Sequence, residues 1–177
     1  FDPTTLTPAE QAMRFGYNND FTAFTPLGPG RGLLSVNHEY SNAELMFPGI
    51  TRRNKLKKMT RAQIEIEMAA HGHSVVEIAQ IEGRWQPLTH SPFNRRITPQ
   101  SPMQISGPAA GHPRMTTRQD PHGRHVLGTL ANCGGGITPW GTVLMAEENI
   151  NFYFQGKPQA GSEADNHRRR GTNGRGY

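Results

Sequence analysis

The pattern of apolar and polar positions divides the chain into short segments, most of which favour β-strands. A short apolar run at residues 33–36 predicts a strand that leads directly into polar residues. Residues 74–81 are rich in β-formers, residues 82–84 are typical of a turn, and residues 85–89 can return as the second strand of a hairpin. Because Pro87 has no amide hydrogen, we expect this returning strand to lie at a sheet edge.

One segment has a clear helical signature. Thr60 can cap a helix, Gln63 completes a capping box, and an apolar stripe follows on one face before Gly72 ends it. Residues 7–10 resemble a helix start, but residues 1–31 as a whole are polar and rich in turns. The sequence therefore predicts one short helix.

The second half of the chain is dominated by loops. Residues 91–125 contain prolines at such short intervals that no long element is expected there. Beyond them, residues 125–131 and 141–146 predict a pair of strands, with glycines at 134–136 between them. Short strands with many turns predict a mainly β fold: a sandwich, a barrel or a propeller.

Composition limits what such a chain can bury. Glycine (20) and proline (14) make up about a fifth of the 177 residues, against about an eighth in average proteins, which disfavours a helical bundle. Hydrophobic residues account for 34% and the mean hydropathy is −0.67. No run of 18 apolar residues occurs, so no membrane-spanning helix is expected. We expect the chain to be part of a larger fold or to be held together by something besides its core.

The charge of the chain argues against a nucleic-acid partner. Lysine and arginine (19) exceed aspartate and glutamate (14), for a net charge of +5. Seven of the basic residues, however, lie within residues 55–58 and 168–175, whereas nucleic-acid binding needs a basic stripe along one face. The single cysteine, Cys133, excludes an internal disulfide, and we find no targeting segment in the chain.

The densest group of candidate ligands lies around that cysteine. Three glycines follow Cys133 and allow the backbone to approach a bound group closely. Glu147 and Glu148 end the next predicted strand, and they point to opposite faces if that strand stays regular. Thiolate sulfur favours a transition metal and carboxylate oxygen favours calcium, so the region predicts a mixed metal site. The alternative is an inert buried cysteine beside two solvated carboxylates.

Two further segments carry candidate chemistry. Glu39, after the first predicted strand, can add a carboxylate ligand, and Asn37 lies two residues before it. Arg95 and Arg96 can hold a phosphate, because a guanidinium group matches phosphate with two parallel hydrogen bonds. The alternatives are a polar strand end and two surface arginines.

Five segments occur in the order expected of PhoX-type alkaline phosphatases, which the chain resembles over roughly residues 14–154. They are FGYNNDF (15–21), NHEY (37–40), SPFNRRIT (91–98), GPAAGH (107–112) and NCGGGITPWGTVLMAEEN (132–149). The resemblance implies a periplasmic or secreted phosphomonoesterase built on a β-propeller, with ferric iron and calcium at the mouth of its central channel. Residues 1–156 would form the N-terminal part of that propeller, with long loops and one short helix, and residues 157–177 a flexible linker or tail.

The resemblance also implies roles for individual residues. Cys133 is expected to be the thiolate ligand of iron, and Glu39, Glu147 and Glu148 are expected to be carboxylate ligands. Weaker candidates for substrate contact are Asn37, Arg95, Arg96, Asn132, Thr138 and Trp140. The expected partner is a small phosphate ester, and the remainder of the propeller, on the same or another chain, must complete the metal cluster.

Two other functions stay open at this point. One is a calcium-dependent propeller hydrolase of phosphodiesters, phosphotriesters or lactones. The other is a propeller-derived binding or structural module without catalysis. Metal analysis together with an aryl phosphate assay separates the three.

Overall fold

A computed structural model describes residues 5–153, and most of its regular structure is antiparallel strand. The strands are β1 (Asn19–Gly28), β2 (Arg31–His38), β3 (Gly72–Ile81), β4 (Arg84–Pro87), β5 (Arg95–Ile97), β6 (Pro102–Gln104), β7 (His125–Leu127), β8 (Asn132–Ile137) and β9 (Val143–Glu147). The helices are α1 (Pro8–Ala12), α2 (Ala43–Met46), α3 (Lys55–Lys58) and α4 (Arg61–Ala70), with single 3-10 turns at Pro113–Met115 and Ile150–Phe152. The predicted tail, residues 157–177, lies outside the described residues.

A five-stranded antiparallel sheet forms the centre of the described structure. Its order is β1-β2-β3-β4, and β5 pairs with the first residues of β3. The strand β4 lies at an edge of this sheet, as Pro87 predicts. Two separate two-stranded sheets, β6–β7 and β8–β9, complete the strand structure.

Two features of the strands differ from the sequence prediction. The strand β1 was missed, because polar residues and Pro26 hide its alternation, in which Ala23 is buried and its neighbours are exposed. The glycines at 134–136 do not separate two strands but lie inside β8, and residues 138–141 form the hairpin turn. None of these three glycines has a left-handed backbone.

The helices are short, and two of them begin as the sequence predicts. The helices α1 and α4 each start with a complete capping box, made by Thr7 with Glu10 and by Thr60 with Gln63. The helices α2 and α3 are single turns of four residues without a side-chain cap, which explains why the sequence does not predict them. The sequence marks the start of α1, but its five residues are too few to show a helical pattern. In the described part of the chain, no helix is long and apolar enough to cross a membrane.

The interior is unusually polar. A small apolar cluster lies among the helices and the loops next to them: Leu6, Ala43, Met46, Phe47, Ile50 and Ile66. The largest fully buried side chains, in contrast, are all polar: His38, His73, Gln11, Glu77, Asn37 and Asn132. Buried polar groups need hydrogen-bond partners, so the fold depends on a polar network as well as on apolar packing.

Candidate metal centre

Three strands bring together an aspartate, a glutamate and the single cysteine. Asp20 lies near the start of β1, Glu39 directly follows β2, and Cys133 is the second residue of β8. The pairing of Asn19 with His38 places the start of β1 beside the end of β2, and the Glu39 amide donates to the Asn18 carbonyl at 3.2 Å. The strand β8 packs against β1, which carries Cys133 to the same place.

The three side chains form a compact set of ligand atoms. One ligand atom from each of Asp20, Glu39 and Cys133 lies within 4.8 Å of the other two. The Cys133 thiol donates a hydrogen bond to Asp20 Oδ2 at 3.1 Å. Asp20 is exposed, whereas Glu39 and Cys133 are half-buried, so the set, which we call the acidic thiol site, is open to solvent on one side.

Electrostatics in the acidic thiol site favour the protonated forms of Glu39 and Cys133. Burial raises the pKa of Glu39, and the neighbouring carboxylates of Asp20 and Glu148 raise it further. Hydrogen bonds to Glu148 and Asp20, followed by burial, raise the pKa of the Cys133 thiol to about 12. Because a cation favours ionised ligands, metal binding here has to displace the thiol proton and relieves the repulsion among the carboxylates.

The predicted pair Glu147 and Glu148 is split by the strand. Glu148 faces the acidic thiol site, where it acts on both Glu39 and Cys133, and it accepts from Asn149 Nδ2 at 2.9 Å. Glu147 instead accepts a hydrogen bond from the Leu130 amide at 2.8 Å and is not brought into the site. Adjacent residues at a strand end point to opposite faces, which explains the separation.

The predicted asparagines are structural in this arrangement. Asn37 is fully buried and bonds to backbone carbonyls and to His73, so it is enclosed and not in contact with solvent. Asn132 is also fully buried, accepts from Thr129 Oγ1 at 2.6 Å and donates to Met145 Sδ at 2.9 Å. The structure therefore gives neither amide a place in a substrate-binding surface.

Arg96 is not a free phosphate-binding group. Its guanidinium donates to five backbone carbonyls, those of Arg14, Ala69, His71, His73 and Ile97, at 2.6–3.3 Å. Burial lowers its pKa to about 10. The five donors of the side chain are thus used to join the end of α4 to β3 and β5, and only Arg95 of the predicted pair is exposed.

Thr138 and Trp140 lie at the other end of the β8–β9 hairpin. Thr138 accepts from the Thr142 amide through its hydroxyl at 2.9 Å and so closes the turn. Trp140 is 78% exposed at the tip. At about 3.3 Å per residue, the strand separates Thr138 from Cys133 by roughly 16 Å, so neither residue reaches the acidic thiol site from here.

Sequence reasoning missed Asp20, the third member of the site. It lies within the segment of residues 15–21 that carried the family resemblance, but no role was assigned to it. Its neighbours are polar, and the strand that positions it was not predicted. A prediction of β1 paired with β2 was the missing step, since that pairing places Asp20 beside Glu39.

A cleft of about 540 Å³ opens beside Glu39. Its lining contains cationic and aromatic side chains, among them Arg52, Lys55, Tyr40 and Phe152. Arg52 is paired with Glu44, Nε to Oε1, at 2.7 Å. The sequence did not single out this cleft, because its lining comes from four separate segments.

Comparison with known proteins gives evidence on the family and the fold that does not depend on the geometry of the acidic thiol site. A family model described as alkaline phosphatase PhoX matches residues 1–177. The structure is similar to that of Pseudomonas fluorescens PhoX in complex with vanadate, a transition state analogue, with 38% sequence identity and a TM-score of 0.82. The match covers 94% of this chain and 29% of that chain. It confirms the predicted mainly β fold. A search of the curated proteins found no match.

Proposed function

The chain belongs to the PhoX alkaline phosphatase family, and we propose that it supplies part of the active site of a metal-dependent phosphomonoesterase. The activity releases phosphate from small organic phosphate esters. One observation carries the proposal: Asp20, Glu39 and Cys133, distant in sequence, bring their ligand atoms within 4.8 Å of one another. The vanadate bound to the similar PhoX structure is consistent with phosphoryl chemistry in this family.

The donor set fits the metals that the resemblance implies. A thiolate is a soft ligand that favours a transition metal such as iron, and carboxylate and amide oxygens favour calcium. We propose that Cys133 and Asp20 bind ferric iron, and that Glu39 and Glu148 hold calcium beside it. Glu147 was expected to be a ligand as well, but its bond to the Leu130 amide supports a role in shaping the end of the hairpin.

The bound metals would supply Lewis-acid stabilisation of the charge that develops on the transferred phosphoryl group. The residues of this chain would hold those ions, and Cys133 would give up its proton to bind as the thiolate. The cleft beside Glu39 is where we place the ester, because Glu39 belongs both to its lining and to the acidic thiol site. Arg52 and Lys55 place two cationic groups in this cleft, beside the carboxylates of Glu39 and Glu44. We assign to these two cationic groups the contact with an anionic substrate that the sequence predicts for Arg95 and Arg96.

Other parts of the proposal follow from the family alone. Residues 1–156 are proposed to be the N-terminal part of a β-propeller, with residues 157–177 as a linker or tail. The remainder of the propeller, on the same or another chain, would complete the metal cluster. We place the protein in the periplasm or outside the cell, where this family typically acts.

The test is metal analysis and aryl phosphate hydrolysis with the full-length protein. Cys133→Ser and Glu39→Gln each remove one ligand, so we expect iron or calcium content to fall and turnover to drop at least about tenfold. Glu82→Gln is the matched control, because Glu82 is an exposed carboxylate in the β3–β4 turn, and it should behave as the wild type.

Each outcome separates the candidate functions. Iron together with aryl phosphate turnover supports the phosphomonoesterase. Calcium alone with hydrolysis of diesters, triesters or lactones identifies the related hydrolase, and neither metal nor turnover identifies a non-catalytic module. Unchanged iron content and unchanged turnover in Cys133→Ser would overturn the assignment of that thiol.

A further inference from the structure

We propose that Asn37 and His73 are positioning residues that hold the backbone of Cys133 in place for metal binding. Both lie outside the acidic thiol site and neither was expected to act in this way. The inference rests on the proposed function of that site.

Asn37 joins β2 directly to the cysteine segment of β8. Its Nδ2 donates to the Cys133 carbonyl at 2.8 Å and to the Gly134 carbonyl at 3.2 Å. The side chain is fully buried, so water does not compete for these bonds. Asn37 and Glu39 are two residues apart in sequence, so the chain that carries the Glu39 ligand also fixes the Cys133 backbone.

His73 fixes the orientation of the Asn37 amide. The two residues are direct partners in the β2–β3 register, and His73 Nδ1 lies 2.8 Å from Asn37 Oδ1. Since carbonyl groups only accept, Asn37 must direct its Nδ2 to Cys133 and Gly134 and its Oδ1 to His73. The hydrogen in this contact therefore comes from His73 Nδ1.

Without that donor, Asn37 Oδ1 would be a buried acceptor that lacks its His73 partner, and the amide would shift toward another donor. Such a shift would weaken the two bonds from Nδ2 that hold the backbone of Cys133. His73 is 1% exposed, and its Nε2 has no hydrogen-bond partner among the described residues. The hydrogen bond that we observe for this side chain is therefore the one from Nδ1 to Asn37 Oδ1. Mutation of a group that orients a metal ligand commonly lowers metal affinity 10–100-fold, and we expect an effect of about this size here.

The experiment compares His73→Leu with His73→Asn in the full-length protein. The asparagine amide nitrogen can stand where Nδ1–H stands, whereas leucine offers no donor. We expect His73→Leu to hold iron at least about tenfold more weakly against a chelator, and His73→Asn to stay near the wild type. In metal-stripped protein, iodoacetamide should alkylate Cys133 severalfold faster in His73→Leu, because the thiol is no longer held at Asp20.

Two further variants make the test specific. Asn94 has the same pattern of bonds elsewhere: Nδ2 donates to the carbonyls of Leu88 and Thr89 at 2.7 and 3.3 Å, and Oδ1 accepts from the Glu77 amide at 2.8 Å. Asn37→Asp should weaken iron binding, whereas Asn94→Asp should not. If His73→Leu does not fold, His73→Gln replaces it, because its amide nitrogen reaches the Nε2 position and not Nδ1.

These measurements distinguish failure of the positioning role from failure of the proposed function. A folded His73→Leu or His73→Gln with wild-type iron retention and wild-type alkylation overturns the positioning role. A wild-type protein that binds no iron and hydrolyses no aryl phosphate overturns the proposed function. In that case, faster alkylation of the metal-stripped variants still supports the positioning of Cys133 by His73.

Discussion

At the scale of single residues, the chain buries three histidines in its polar interior. His38, His71 and His73 are at most 2% exposed. Burial, reinforced by the positive charge of Arg96, lowers their pKa values to about 3, 4 and 4 respectively, against an ordinary value of about 6.5. All three are therefore neutral in the folded protein at pH 7 and serve as hydrogen-bonding groups in the polar interior.

These depressed pKa values predict an acid-sensitive fold. Above pH 6.5 the histidines are neutral in both the folded and the unfolded chain, so their contribution to stability is complete there. As the pH falls from about 6.5 to about 4, the unfolded chain binds protons that the folded chain does not, and the free energy of unfolding decreases. Three such groups give a slope of at most about 4 kcal/mol per pH unit, measured by urea unfolding between pH 7 and 4.5.

Single variants test the origin of that slope. His71→Gln should reduce the slope by about one proton, because it removes one of the three titrating groups, and glutamine can still bond to the Glu67 carbonyl or the Tyr153 hydroxyl that the His71 ring contacts. His122→Gln, which changes an exposed side chain, should leave the slope as in the wild type. A free energy of unfolding that stays constant from pH 7 to 5 contradicts the explanation.

At the residue level, the structure brings together three of the four side chains that the sequence analysis predicts as metal ligands, and it leaves out Glu147. A lone cysteine and strand-end carboxylates are the soft and hard ligands that a mixed site needs, and Cys133, Glu39 and Glu148 do come together. Asn37 and Arg96 were assigned to substrate, but burial and hydrogen bonds to backbone carbonyls show that both join elements of the fold. Such contacts cannot be inferred from one sequence, because their carbonyl partners are present at every residue.

At the scale of elements, the β8–β9 hairpin shows which features of a strand pair the sequence pattern predicts and which it does not. The strand predicted at residues 141–146 corresponds to β9, but the partner predicted at residues 125–131 is wrong: residues 125–127 form β7, which pairs with β6, and β9 pairs with β8 instead. The glycines predicted to connect the two strands lie inside β8. The structure shows that Gly135 lies under Phe21 of β1, where an added Cβ would overlap the aromatic ring. Glycine is required there because two strands approach each other closely. This requirement comes from tertiary packing, so the local sequence pattern does not predict it.

We predict that Gly135→Ala separates the hairpin from the sheet. Relief of the overlap with Phe21 requires β8 to move, which should cost about 1–3 kcal/mol of stability and weaken iron binding at Cys133. Gly134→Ala and Gly136→Ala are matched controls in the same segment, since an added Cβ at either position has no atom within 4 Å. Urea unfolding and iron content measure both effects. Equal stability in all three variants would show that β8 does not need this approach.

At the scale of the whole molecule, the acidic thiol site joins parts of the chain that share little apolar packing. The apolar cluster lies among the helices and loops, whereas the hairpin meets the sheet through Asn37, Cys133 and the contact of Gly135 with Phe21. Iron bound by Asp20 and Cys133, with calcium held by Glu39 and Glu148, would link the β8–β9 hairpin to the sheet and offset the repulsion among these acidic groups.

Removal of the metal should therefore loosen one part of the molecule more than another. We expect a chelator to lower the melting temperature and to speed amide hydrogen exchange in residues 132–147 more than in residues 72–81. A ligand at 100 times its dissociation constant stabilises the folded state by about 2.7 kcal/mol, which sets the scale of the loss. Cys133→Ser should show little further change with chelator. Uniform exchange across both segments would mean that the metal does not bridge them.

Asp20 and Cys133 meet across a separation of 113 residues, which has a consequence for synthesis. At about 5–20 residues per second, a ribosome needs roughly 6–23 s to make the chain between them. During that interval Asp20 and Glu39 offer carboxylate oxygens alone, which bind hard cations such as calcium. Discrimination in favour of a transition metal begins only when Cys133 emerges, so the last residue of the acidic thiol site to be synthesised decides which ion that site selects.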